Sequence, residues 1–228
     1  MKKISLATVL SFDAGYVDTA GFLALQGLFT AHVTGNFVTF GAAVVLGTSG
    51  IIAKLLALPV FCAVILVTRL ASFWLARRKY PVLSTMMRVK LLLLIVAAAL
   101  AVSFGPFPKG DGWPAILTGM VLVAAMAIQN AAHKIHLAKA PPTTMMTGNT
   151  TQIMIDLADV IRGESLEAKS AAKKRMIKML TSVCAFASGC GVAAAAFMWL
   201  GIWCLAIPPL LGLLALIAEI ETPEGDAK

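Results

Sequence analysis

Six apolar runs, each long enough to cross a bilayer as a helix, leave this chain few ways to fold. They lie at about Ile4–Phe29, Ile51–Ala76, Val82–Phe104, Trp113–His133, Met176–Trp199 and Ile202–Ile220. A helical crossing needs about 20 such residues. With 59% hydrophobic and 13% charged residues among 228, the composition is far from that of a soluble domain. The expectation is one all-α polytopic membrane domain over residues 1–228, whose partner is the lipid bilayer.

The net charge of +8 does not point to nucleic acid, because the basic residues sit at the ends of apolar runs and carry topology instead. Met1-Lys2-Lys3 before an apolar run imitates a signal peptide. No small-residue cleavage site follows, and Asp13 and Asp18 interrupt the run, so it is read as a retained first span. Cys62, Cys184, Cys190 and Cys204 fall inside apolar runs and are expected to be buried thiols, with no metal, disulfide or cofactor role.

Two further segments, about Val33–Leu46 and Met146–Ile161, measure only roughly 22 Å as helices, short for a crossing. Charge decides how they are placed. If neither crosses and the N-terminus is cytoplasmic, the basic cluster Arg77–Lys90, Lys134, Lys139 and the Arg162–Lys178 stretch all lie inside. Only Lys54 and Lys109 then lie outside. If both cross, the asymmetry nearly vanishes. The expected fold therefore has six full transmembrane helices, two short non-crossing half-helices and cytoplasmic termini.

Both short segments open on the same tripeptide, Thr34-Gly35-Asn36 and Thr147-Gly148-Asn149. The first follows an outward span and the second an inward one, so the two would enter from opposite faces. The halves, 4–104 and 113–220, would then form an inverted 3+3 repeat, which places a functional site near the midplane between them. Upstream, Gly15-Tyr16-Val17-Asp18 overlays Ala127-Ile128-Gln129-Asn130, setting Asp18 opposite Asn130.

These residues, Gly15-Tyr16-Val17-Asp18 with Gly21-Phe22, Gln129-Asn130-Ala131 and the two Thr-Gly-Asn motifs, resemble the YoaK-type bacterial inner-membrane proteins, a family of unknown function. The resemblance covers nearly the whole chain. It implies a multi-span protein of the bacterial inner membrane and supplies no substrate or reaction.

Chemically, Thr or Asn at a helix start caps the first turn, Gly lets backbone approach a solute, and free N–H groups favour an anion or a polar oxygen. For one motif a plain cap explains as much. For two, placed symmetrically, a solute site lined by Thr34, Gly35, Asn36, Gln129, Asn130, Thr147, Gly148 and Asn149 is the sharper expectation. A carboxylate within a span marks function by default. Asp18, and with less force Asp13, are therefore the candidates for ion or proton coupling.

Arg69 snorkels to the interface or pairs with Asp18 or Asp156. Asp156 and Asp159 approach the cytoplasmic rim, and Arg162–Lys178 is read as a solvated connector. His32, His133 and His136 have no metal-site spacing. A small secondary transporter of a polar or anionic solute leads. A passive channel is the alternative, and a membrane enzyme or scaffold comes last, since no nucleophile–base, phosphate-loop or metal motif is present. Gly- and Ala-rich faces leave a homo-oligomer open.

Overall fold

In the computed structural model, residues 5–163 and 165–220 are described. They form α1 (Leu6–Ala24), α2 (Gly35–Leu46), α3 (Ile51–Arg77), α4 (Val82–Phe104), α5 (Trp113–His136), α6 (Met146–Arg162), α7 (Leu166–Leu200) and α8 (Pro208–Ile220). A 3₁₀ turn, Gly201–Ala206, separates α7 from α8. Lys2, Lys3 and Glu164 lie outside the described residues.

Among the described residues four helical stretches are long and apolar enough to cross a membrane: α3, α4, α5 and α7 with its 3₁₀ extension. They mark the chain as a membrane protein. The exposed Leu66, Val67 and Leu70 of α3, Leu92 and Ile95 of α4, and Met198 and Trp199 of α7 fit a lipid-facing surface. α1 and α5 are the interior helices. Ala14, Val17 and Ala20 of α1 pack with Leu122, Val123 and Met126 of α5 in one buried cluster.

Several boundaries differ from the sequence expectation. The first run does not stay helical to Phe29. α1 ends at Ala24, where Gln26 and Gly27 take positive φ values of 56° and 82° and turn the chain back on itself. The Arg162–Lys178 stretch is not a loop. Ser165 caps α7 by accepting from the Ala168 N–H at 3.1 Å, and the helix runs unbroken to Leu200. Its early turns are held by Arg175, which donates to both carboxylate oxygens of Asp156 on α6, while Gln152 donates to the same carboxylate at 2.9 Å.

The last run is broken. Pro208 and Pro209 follow the 3₁₀ turn, leaving 13 residues of α-helix after it. The cysteines are not uniformly buried either: Cys204 is, but Cys62 and Cys184 are exposed on apolar helices.

α1 and α7 run parallel. Ser11 shares a hydrogen bond with Ser182 at 2.6 Å, and farther along both helices the Tyr16 hydroxyl donates to the Cys204 carbonyl at 2.9 Å. Between these contacts the two backbones touch. A Cβ on Gly15 would lie 2.1 Å from the Phe186 oxygen, and one on Gly189 would lie 2.1 Å from the Phe12 oxygen. α3 and α5 start side by side: Asp111, just before α5, accepts from Gly50 N–H (2.9 Å) and Ile52 N–H (2.8 Å) at the start of α3. This side chain supplies acceptors that α3 lacks in its own N-cap, Gly50.

Candidate functional site: a cavity between two doubled-back loops

Each interior helix is followed by a segment that folds back along it. After α1 the chain returns to the level of Asp18, whose Oδ1 accepts from the backbone N–H groups of Thr30 and Ala31, both at 2.7 Å. After α5 it returns to the level of Asn130, whose Oδ1 accepts from the Thr144 hydroxyl at 2.7 Å. Gln129 donates to the Thr143 hydroxyl at 3.2 Å. The carboxylate of Asp18 thus orders a loop whose amides would otherwise be stranded in an apolar interior.

The two motif asparagines fix the other end of each loop. Asn36 grips Phe29 with both side-chain atoms, accepting from its N–H at 2.9 Å and donating to its carbonyl at 2.8 Å. Asn149 donates to the Pro142 carbonyl at 2.8 Å. Both reach back the same seven residues. The second clamp is single because proline has no N–H. Neither motif acts as the helix cap expected of it: Thr34 makes no capping bond, and the N-cap of α6 is Met145. Asn36 and Asn149, each 1% exposed, sit behind the loops they hold.

Between these loops lies a cavity of about 490 Å³, lined by Thr34 at the start of α2, Thr147 and Gly148 at the start of α6, and Asn130 of α5. The structure therefore brings four of the expected solute-site residues to one space. Gly35, Asn36, Gln129 and Asn149 are not among its lining residues. The motif glycines differ in setting. A Cβ on Gly148 would meet nothing within 4 Å, whereas one on Gly35 would lie 2.9 Å from the Phe29 ring.

Two cations also line the cavity, Arg69 from α3 and Lys134 from α5. Arg69 pairs with neither Asp18 nor Asp156. Its guanidinium lies 4.1 Å from the centre of the Phe73 ring. Among the described residues no Asp or Glu lines the cavity.

Beside the cavity is a buried polar cluster that the sequence did not reveal. Lys90 of α4 donates to Asp13 of α1 and to Gln129 of α5. Asp13 and Gln129 are 0% exposed and Lys90 is 1% exposed. Each lies about two turns from the same end of the helix bundle. The charge pattern groups Lys90 with the interfacial basic cluster, and only its position two turns into α4 hints otherwise. Gln129 also donates to the Leu10 carbonyl at 2.8 Å, while Asp13 Oδ1 has no hydrogen-bond partner. Through Gln129–Thr143 and the adjoining Asn130–Thr144 bond, the ion pair connects to the cavity wall. Among the described residues no three His, Cys, Asp or Glu side chains gather as a potential metal set.

An all-helical membrane protein with its polar side chains gathered at two doubled-back loops is the class that fold and site define. The chain belongs to the family described as a protein of unknown function (DUF1275), whose model matches residues 6–218, in agreement with the YoaK-type resemblance. No curated protein and no solved structure matches it.

Proposed function

We propose that this protein is a small secondary transporter of the bacterial inner membrane, carrying a small polar or anionic solute through a site between its two Thr-Gly-Asn segments. One observation carries the reading: Thr34, Asn130, Thr147 and Gly148, drawn from both halves, border the same cavity.

In this reading the chain crosses six times, with Ile202–Ile220 as the last span, and has cytoplasmic termini. α2 and α6 are half-helices entering from opposite faces. The packing supports an inverted repeat, since partners exchange consistently between halves. α1 lies along α7 as α5 lies along α3. α2 rests on α3 as α6 rests on α7, and α4 meets α5 as α8 meets α1. The shared reach of Asn36 and Asn149 supports it further. Rocking of one half against the other would then expose the cavity alternately.

Coupling to a proton or cation falls to Asp13, which has an unpartnered oxygen, whereas Asp18 is engaged by Thr30 and Ala31.

Gly148→Leu tests the reading because Gly148 lines the cavity and a Cβ added there meets nothing within 4 Å. The variant should keep the wild-type melting temperature to within a few degrees. In proteoliposomes loaded against a panel of labelled small solutes, it should lose at least tenfold of whatever uptake the wild type supports. Wild-type protein that moves no solute, or a Gly148→Leu variant with undiminished flux, would refute the assignment.

A further inference from the structure

We infer that the solute is an organic anion with one charged head on a compact apolar body, its head held by Arg69 and Lys134. This rests on the cavity being the solute site. Leu58, Phe61, Ile65 and Arg69 line it from α3 at helical spacings of three and four, so they form one stripe down a single face. The stripe covers about 16 Å. It is apolar for most of its length and ends in a guanidinium. Because α3 and α5 start side by side and both run toward the end where Arg69 and Lys134 lie, the Lys134 ammonium joins the cationic end.

Arg69 and Lys134 are both exposed, and among the described residues neither is ion-paired with a carboxylate. Two cations with no carboxylate partner among the described residues attract an anion and repel a cationic solute. A fully hydrophilic anion such as phosphate would leave the Leu58–Phe61–Ile65 wall in contact with water. A carboxylate or sulfonate carrying an aromatic or short aliphatic group satisfies both ends.

Benzenesulfonate is a suitable probe, because it is permanently charged and does not leak through lipid. With the full chain in phosphatidylcholine nanodiscs, benzenesulfonate should raise the unfolding temperature with a saturable dependence. Its neutral isostere benzenesulfonamide should not. Arg69→Gln with Lys134→Gln should weaken the benzenesulfonate effect at least tenfold while leaving the unliganded melting temperature near wild type.

Equal effects of the two probes, or an unchanged affinity in the double variant, would overturn the inference. So would a stabilisation reproduced by phosphatidylglycerol in the disc and lost with Arg69, which would make the occupant a lipid headgroup. If Gly148→Leu abolishes solute flux while the Arg69 and Lys134 variants bind as wild type, only the anion assignment fails. If Gly148→Leu has no effect either, the cavity itself is not the solute site.

Discussion

Lys90→Met should lower the melting temperature sharply. The substitution strands Asp13, 0% exposed, beside Gln129 with no cation to balance it. Removing one partner of a buried ion pair costs about 3–5 kcal/mol, because the remaining charge keeps its desolvation penalty without compensation. Whole domains are stable by only about 5–15 kcal/mol, so the loss is a large share of the total. Adding Asp13→Asn to Lys90→Met removes that charge and should restore most of the melting temperature.

The rescued double variant then separates structure from coupling. If Asp13 carries the coupling proton or cation, the double variant should still exchange solute across liposomes but should not accumulate it against a gradient. Detergent-solubilised melting curves of the wild type and of the single and double variants decide the first point. A Lys90→Met protein as stable as wild type would show that the pair contributes nothing. Retained uphill accumulation in the double variant would remove Asp13 from the coupling role.

The second large effect lies where α1 crosses α7. Gly15 and Gly189 let two backbones touch, and a Cβ on Gly189 would fall 2.1 Å from the Phe12 carbonyl oxygen. Backbone cannot swing aside as a side-chain tip can, so Gly189→Val should force the helices apart. Ser11–Ser182 and Tyr16–Cys204, the hydrogen bonds on either side of the contact, should be lost with it. The expected cost is about 3 kcal/mol or more, at the upper end for overpacking. Gly191 is the matched control, since a Cβ there meets nothing within 4 Å. Size-exclusion profiles and melting temperatures should show Gly191→Val near wild type and Gly189→Val largely misfolded. Equal behaviour of the two would mean that the close approach is not needed for the fold.

What could be read in the sequence depended on whether the signal was local. The apolar runs and the doubled tripeptide are local, and they located the long helices and both short ones. The bond from Asn36 to Phe29 depends on a turn at Gln26–Gly27 that composition does not announce, so the motif was seen while its task, clamping a loop rather than capping a helix, was not.

Lys90 was missed for a different reason. In a membrane helix the lipid-facing side is as apolar as the core-facing side, so no amphipathic phase tells which way a residue points. A lysine two positions from Arg88 then reads as an interfacial charge. Its partners, Asp13 and Gln129, are 77 and 39 residues away in sequence, and only the packing of α1, α4 and α5 brings them together. The reverse error occurred at Leu166–Lys178. There charges surround the helix, and a segment polar on every side reads as a loop, although Asp156 of α6 pins it through Arg175. Arg69 and Lys134 were visible as charges, but their common cavity was not.

The central claim is that α2 and α6 enter the membrane from opposite sides and meet at one cavity. Thr48, just past α2, and Ser165, just past α6, are both exposed. With Cys62, Cys184, Cys190 and Cys204 replaced by Ala, Thr48→Cys and Ser165→Cys can be reacted with a membrane-impermeant maleimide in intact cells and again after permeabilisation. Thr48→Cys should label in intact cells, and Ser165→Cys only after permeabilisation. Labelling of both positions from the same side would contradict the opposed half-helices and with them the shared site.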